Sequence, residues 1–221
     1  MTSYRQIAAT LLLGWTVTGH ALAQDAPSAG IGACEIHLWP GAVYETGSTG
    51  WSDTFGPGIQ GPVLDESAHL DSKMTTAAEF QKKFDLSQQS VLMKSFDFAR
   101  FTHKTAVTIV ENSSFDPKRT AKLETRSSTS TAPCYIEFYV LKSRYYYAPL
   151  PGKQFQTTFL IKDFRGGKPR IFRDLKITKI KLFPALEPSQ ERLAARELEQ
   201  AFLNNLEHFA ERALGQTGGG G

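Results

Sequence analysis

The chain is expected to fold as an α+β domain: an antiparallel sheet with helices packed on one face and a long amphipathic helix at its C-terminal end. Three observations predict this. Residues 134–183 hold three strand-like runs in succession, separated by short turn sequences. Residues 190–214 place their apolar side chains on one helical stripe. Strand-like segments outnumber helical ones and do not alternate with them, which argues against a parallel βαβ arrangement.

The first element is an export signal. Arg5 supplies the positive start, residues 7–17 (Ile7 to Val17) the short apolar stretch, and Ala21-Leu22-Ala23 the small-x-small site for the signal peptidase. A cut after Ala23 leaves a mature chain beginning at Gln24. The alternative is a membrane anchor, which needs about 20 apolar residues. This stretch is shorter and is diluted by Thr16, Thr18 and His20. Ile31-Gly32-Ala33-Cys34 also has the form of a lipid-attachment box, but the polar residues 24–30 separate it from the apolar stretch. Lipidation at Cys34 is therefore the minority reading. The expected address is the periplasm, or secretion beyond it.

Removing 23 of 221 residues leaves a length that suits one domain. The expected organisation is a signal peptide (1–23), a tether (24–33), a single domain (34–214) and a disordered glycine-rich tail (215–221). Losing Arg5 leaves 24 of the 25 basic residues against 22 acidic ones. No block of like charge recurs, so the footprint of a nucleic-acid-binding chain is missing. Cys34 and Cys134 are the only cysteines. In an oxidising compartment such a pair is expected to form a disulfide. The competing reading, two free thiols, has no local catalytic signature behind it.

Cys34 to Trp39 alternates as a short strand and stops at Pro40-Gly41. Residues 41–62 are rich in Gly, Ser, Thr and Pro and read as a long loop. Helix is expected over Thr75–Phe84 and Ser87–Ser95, with Asp85 and Gln88 as a starting cap and Leu86, Leu92 and Met93 as the buried face. Thr105–Val110 is a strand by branching and alternation. Residues 111–133 read as a polar surface loop with a short helix near Arg119–Thr125. Tyr135–Tyr147, Gln154–Phe164 and Arg170–Phe183 are the three strands of a meander. In the last, Leu175 and Ile177 share one face and Ile180 and Leu182 the other, which predicts a bulge or a strand end there. Ser189 is placed to cap the final helix and Gly215 to stop it. Its stripe is Ala194, Leu198, Ala201, Phe202, Leu206, Phe209 and Ala213.

Few residues carry chemistry. His37, His69, His103 and His208 stand apart, so neither a histidine-based metal site nor a cofactor is expected. Gly47-Ser48-Thr49-Gly50 lacks the spacing of a nucleophile elbow. The Gly56–Pro62 stretch has prolines where a phosphate loop needs lysine. Glu35, Glu45, Asp53, Asp65 and Glu66 supply the carboxylates for a hydrolase reading, because glycoside cleavage needs two of them across the bond. The tyrosine run 145–147, with Tyr135, Tyr139 and Arg144, is the most unusual local feature. Tyr135, Tyr139, Arg144, Tyr145 and Tyr147 form the candidate binding surface, since tyrosine gives large contact area and tolerates a wet rim. The competing reading is a sheet under a helix, with tyrosines at its rim.

Residues 104–114, a strand (Lys104 to Val110) running into Glu111-Asn112-Ser113-Ser114, resemble the opening strand of bacterial envelope accessory proteins of the curli-secretion and penicillin-binding-protein-activator type. The later order of elements, long strands and then an amphipathic helix, extends the resemblance over about 104–214. In place of the helix that follows the opening strand in that pattern, this chain has the polar stretch 111–133. The resemblance implies a non-enzymatic role in an envelope assembly and transfers no functional residue. The functional expectation is thus an exported, non-catalytic protein that binds a partner protein or an envelope component. The alternative is an exported hydrolase of envelope polymers.

Overall fold

The structure, a computed structural model, describes residues 33–41, 43–48, 79–80, 84–102, 104–148, 150–166 and 168–217. The expected signal peptide, the expected tether up to residue 32, residues 49–62 of the expected loop, His69, residues 75–78 and 81–83 of the expected first helix, His103 and residues 218–221 lie outside the described residues.

The fold is α+β. A six-stranded, mostly antiparallel sheet carries a long C-terminal helix on one face. The strands are β1 (Cys34–Trp39), β2 (Tyr44–Ser48), β3 (Ala106–Val110), β4 (Tyr135–Ala148), β5 (Gly152–Asp163) and β6 (Arg170–Lys179). The helices are α1 (Leu86–Ser95), the four-residue α2 (Pro117–Thr120) and α3 (Glu191–Thr217). The spatial order is β3-β1-β4-β5-β6, with β2 continuing beyond β1 along the same edge of β4.

The meander β4–β5–β6 is antiparallel, as its short turns require. Gly152, at φ +74°, takes the left-handed conformation between β4 and β5. The N-terminal strands differ from the expectation of an all-antiparallel sheet. β1 runs parallel to both β3 and β4, and β2 runs parallel to β4. Each of these pairs is joined through a connection long enough for a crossover, which a parallel neighbour needs.

The core lies between the sheet and α3. Phe155, Thr157, Phe159 and Ile161 of β5 and Ile136, Phe138 and Val140 of β4 face the helix and are buried. They meet all seven stripe residues of α3, every one of which is buried. The Phe209 ring lies 5.3 Å from Phe159 and 5.5 Å from Phe138. Removing a ring of this kind costs about 3–5 kcal/mol. Asn205 interrupts the stripe with purpose: its amide donates to the Phe155 carbonyl and Thr157 Oγ1, and its oxygen accepts from Thr178 Oγ1 at 2.8 Å.

Several local expectations change. Asp85 caps α1 by accepting from the Gln88 amide, but Leu86 stays exposed and only Met93 and Gln89 are fully buried. The short helix in the polar stretch is α2, starting at Pro117 under an Asp116 cap. Ser189 does not cap α3: its hydroxyl turns to Glu187, and a 3₁₀ turn over Pro188–Gln190 leads into the helix. Gly215 does not stop α3, which continues to Thr217, so the first residues of the expected tail are helical. The phase change at Ile180 and Leu182 is the expected strand end and not a bulge: β6 pairs with β5 without a register shift and ends at Lys179. The bulge falls instead in β4, between Val140 and Lys142.

Candidate functional site

The second face of the sheet, away from α3, gathers the polar chemistry. Strand alternation sends Tyr135, Glu137 and Tyr139 there while their neighbours enter the core. At the bulge, Leu141 stays on the Tyr139 side and packs with Trp39 and Leu160. The extra residue reverses the assignment of everything after it. Ser143 and Tyr145 turn to the helix side, and Arg144 and Tyr146 turn away.

The candidate tyrosine surface is therefore divided. Tyr135 and Tyr139 are fully buried on the second face. Tyr145 is in the core, its ring 5.4 Å from Phe183, and burial pushes its hydroxyl up to about 12. Tyr147 is exposed at the strand end. Arg144 lies over the Tyr146 ring at 4.7 Å, with its guanidinium where any side chain at Gly47 would stand. These residues do not make one binding face.

The structure brings together a different set. Glu137 is completely buried and accepts hydrogen bonds from the Ser127 amide and from the Tyr135 hydroxyl at 2.9 Å. The Tyr139 hydroxyl lies 2.8 Å from its other oxygen. Lys162, its cross-strand partner on β5, is also completely buried and points its ammonium at the same oxygen across 3.6 Å. That separation makes an ion pair without a hydrogen bond, and Lys162 Nζ has no hydrogen-bond partner. Burial holds the Lys162 ammonium below the ordinary lysine value. Burial likewise raises both tyrosine hydroxyls, Tyr139 the further. Serines 127, 128 and 130 and Arg126, from the polar stretch before β4, cover this centre. Arg126 stacks on the Tyr135 ring at 4.5 Å.

Beside it, His37 stands between two carboxylates. Its Nδ1 is 2.5 Å from Glu111 and its Nε2 3.3 Å from Glu35. Glu35 also accepts from Ser130 Oγ at 2.5 Å. That hydroxyl is the largest cause of its lowered pKa, with His37 adding to it. His37 is thus packed and hydrogen-bonded, as expected of a strand histidine. Trp39 donates to Ser113, and a groove of about 350 Å³ opens there between the start of α1 and residues 111–117.

Glu137, Glu35 and Glu111 each have an internal partner, and the amine and hydroxyls around Glu137 are shut from solvent. The hydrolase set is not assembled among the described residues. Glu35 pairs along β4 with Tyr135 and Glu45 with Arg144. Nine strand positions at ~3.3 Å each put them roughly 30 Å apart, far beyond a glycosidase pair at about 5–10 Å. Glu45 instead holds Lys142 at 2.5 Å. Asp53, Asp65 and Glu66 lie outside the described residues. Among the described residues no group of three metal-ligating side chains converges, and no helix is long and apolar enough to cross a membrane.

The disulfide Cys34–Cys134 is present, with the two cysteines where β1 and β4 begin. It occupies the sulfur that a lipid would need. The other half of the second face, over β5 and β6, is less covered. Ile171, Leu175 and Ile177 of β6 keep 40, 48 and 50% of their surface exposed. Glu137 and Lys162 escaped the sequence reading: Glu137 is the single charge in the run Tyr135–Leu141, which is the available signal, whereas Lys162 has Asp163 beside it and gives none.

No family model matches the chain, and no curated protein does. A solved structure, the hypothetical protein CT253 from Chlamydia trachomatis, aligns over 82% of this chain and 96% of its own, at 8% identity and a TM-score of 0.31. A likeness at that level carries no argument about fold or function.

Proposed function

We propose that this chain is an exported, non-catalytic protein of the cell envelope that binds a partner protein through the uncovered part of its sheet. The observation that carries the reading is the run of exposed apolar side chains on β6, the terminal strand of the sheet among the described residues. Contiguous exposed apolar surface beside a free strand edge is a liability that proteins usually blunt or use. The secretory features of residues 1–23 and the disulfide both favour an oxidising compartment. The resemblance of residues 104–214 to envelope accessory proteins points the same way. The internal pairing of the buried acids supports a structural use for them.

Site-specific photo-crosslinking tests the proposal. A crosslinker at Leu175 in cells is expected to capture one defined envelope protein. The same crosslinker at Leu193, on the outer side of α3, is expected to capture none. Equal capture from both positions, or turnover of envelope polymers by the purified protein, would overturn it.

A further inference from the structure

The outward face of β6 reads Ile171, Arg173, Leu175, Ile177, Lys179, and two of its features restrict what can bind there. The first is charge. β6 carries four cations and one carboxylate, Asp174. Asp174 is taken: Lys176 lies 2.7 Å from it and Arg212 of α3 lies 2.9 Å from it, on the helix side. Arg173 and Lys179 therefore flank the apolar residues with no acidic partner among the described residues. The second is position. β6 is hydrogen-bonded to β5 along its length, and its other edge has no strand among the described residues.

These features favour a foreign strand over a second copy of the same one. Antiparallel pairing of two copies of β6 sets outward residues against outward ones. Centred on Leu175 it would place Arg173 opposite Ile177 and Lys179 opposite Ile171, and since the outward face holds no acid, every such register leaves both cations without a carboxylate. A foreign strand with carboxylates at those two positions supplies the missing partners. The geometry points to strand addition: β6 accepts an extended peptide segment of a partner protein, with apolar side chains against Ile171, Leu175 and Ile177 and carboxylates against Arg173 and Lys179. In this mode main-chain hydrogen bonds supply affinity and alternate side chains supply specificity. For an antiparallel segment the required order is acid, apolar, apolar, acid, apolar at every second residue. The inference rests on the partner-binding reading above and specifies its chemistry.

The probe is the peptide Glu-Thr-Val-Thr-Val-Thr-Glu-Thr-Val, with its reversed sequence for parallel addition and a third peptide carrying Lys in place of Glu. Binding to the full chain is followed by fluorescence anisotropy, and its location by amide hydrogen exchange. An acidic peptide is expected to bind and to slow exchange along Ile171–Lys179. R173E/K179E should weaken it about tenfold, the scale of two reversed cross-strand charge pairs, and should bind the lysine peptide instead. These surface changes leave the core untouched, and circular dichroism checks the fold. No binding by either acidic peptide, binding indifferent to charge, or concentration-dependent self-association through β6 would overturn the proposal. If the peptides fail while the crosslinker at Leu175 still captures one protein, strand addition falls and the partner-binding reading stands.

Discussion

The buried Glu137–Lys162 pair makes an asymmetric demand on its two members. Glu137→Gln keeps the shape of the side chain but leaves one carbonyl oxygen. In the protein one carboxylate oxygen serves Tyr135 and the Ser127 amide, and the other serves Tyr139 and faces Lys162. Whichever oxygen becomes an amide nitrogen, at least one buried donor loses its acceptor, at about 1–3 kcal/mol. Lys162 also loses its counter-charge, and breaking a buried pair costs about 3–5 kcal/mol. Lys162→Met is milder. The lost Nζ makes no hydrogen bond, the alkyl stem is replaced, and Glu137 keeps its donors from Ser127, Tyr135 and Tyr139. A cost below about 2 kcal/mol is expected, because the carboxylate keeps its hydrogen bonds and loses a counter-charge that was not hydrogen-bonded to it. Urea unfolding with Trp39 as reporter measures both, since its ring stacks on Tyr139 at 4.6 Å. In thermal unfolding E137Q should lower Tm by roughly 6–20 °C. If K162M costs as much as E137Q, the hydrogen bonds to Glu137 do not carry the centre and the reasoning fails.

Other outcomes follow from the same structure. Replacing both cysteines by serine should destabilise the oxidised protein by about 4–5 kcal/mol, the chain-entropy value for a loop of about 100 residues. Equal unfolding midpoints with and without reductant would refute it. Gly41→Ala should be costly and Gly47→Ala mild. A side chain at Gly41 meets the Val140 carbonyl oxygen at 2.2 Å, whereas one at Gly47 meets only the movable guanidinium of Arg144; comparison of the two unfolding midpoints decides. Glu35, its pKa lowered from 4.5 chiefly by Ser130, contributes stability that is present above that value and lost as pH falls through its depressed folded value. Glu35→Gln should therefore flatten the acid limb of the stability–pH curve below about pH 4.5, and an unchanged slope would exclude this role.

The parts of the fold legible in the sequence are those set by local pattern. Alternation located the meander, helical spacing located the buried stripe of α3, and two cysteines without competitors located the disulfide. Partnership was not legible. β1 looks like any short strand, and β2 lies inside a stretch that reads as loop, its Tyr44–Ser48 made a strand only by pairing with β4. Nothing within either records that its neighbours lie about 70 to 100 residues on. The bulge was hidden for a related reason. Val140 and Leu141 are both apolar because both faces are covered at that point, so the alternation that would reveal a shift is silent. That one residue dissolved the expected tyrosine surface by sending Tyr135 and Tyr139 to one face and Tyr145 and Tyr147 to the other. The polar centre was obscured differently. Glu137 and Lys162 are ordinary charges until the register of β4 and β5 places them opposite one another.

The place of β1 also has a consequence in time. Both strands that flank β1 are made long after it, since β3 begins at Ala106 and β4 at Tyr135. At ordinary rates of synthesis the interval from Cys34 to Cys134 is on the order of 5–20 s. Throughout it, an apolar strand and a reactive thiol must wait without neighbours. The segment from Tyr135 to Thr217 has short-range partners of its own and can assemble as soon as it emerges. The first strand of the described residues is thus the one whose partners are made latest, and the disulfide ties its start to the start of β4.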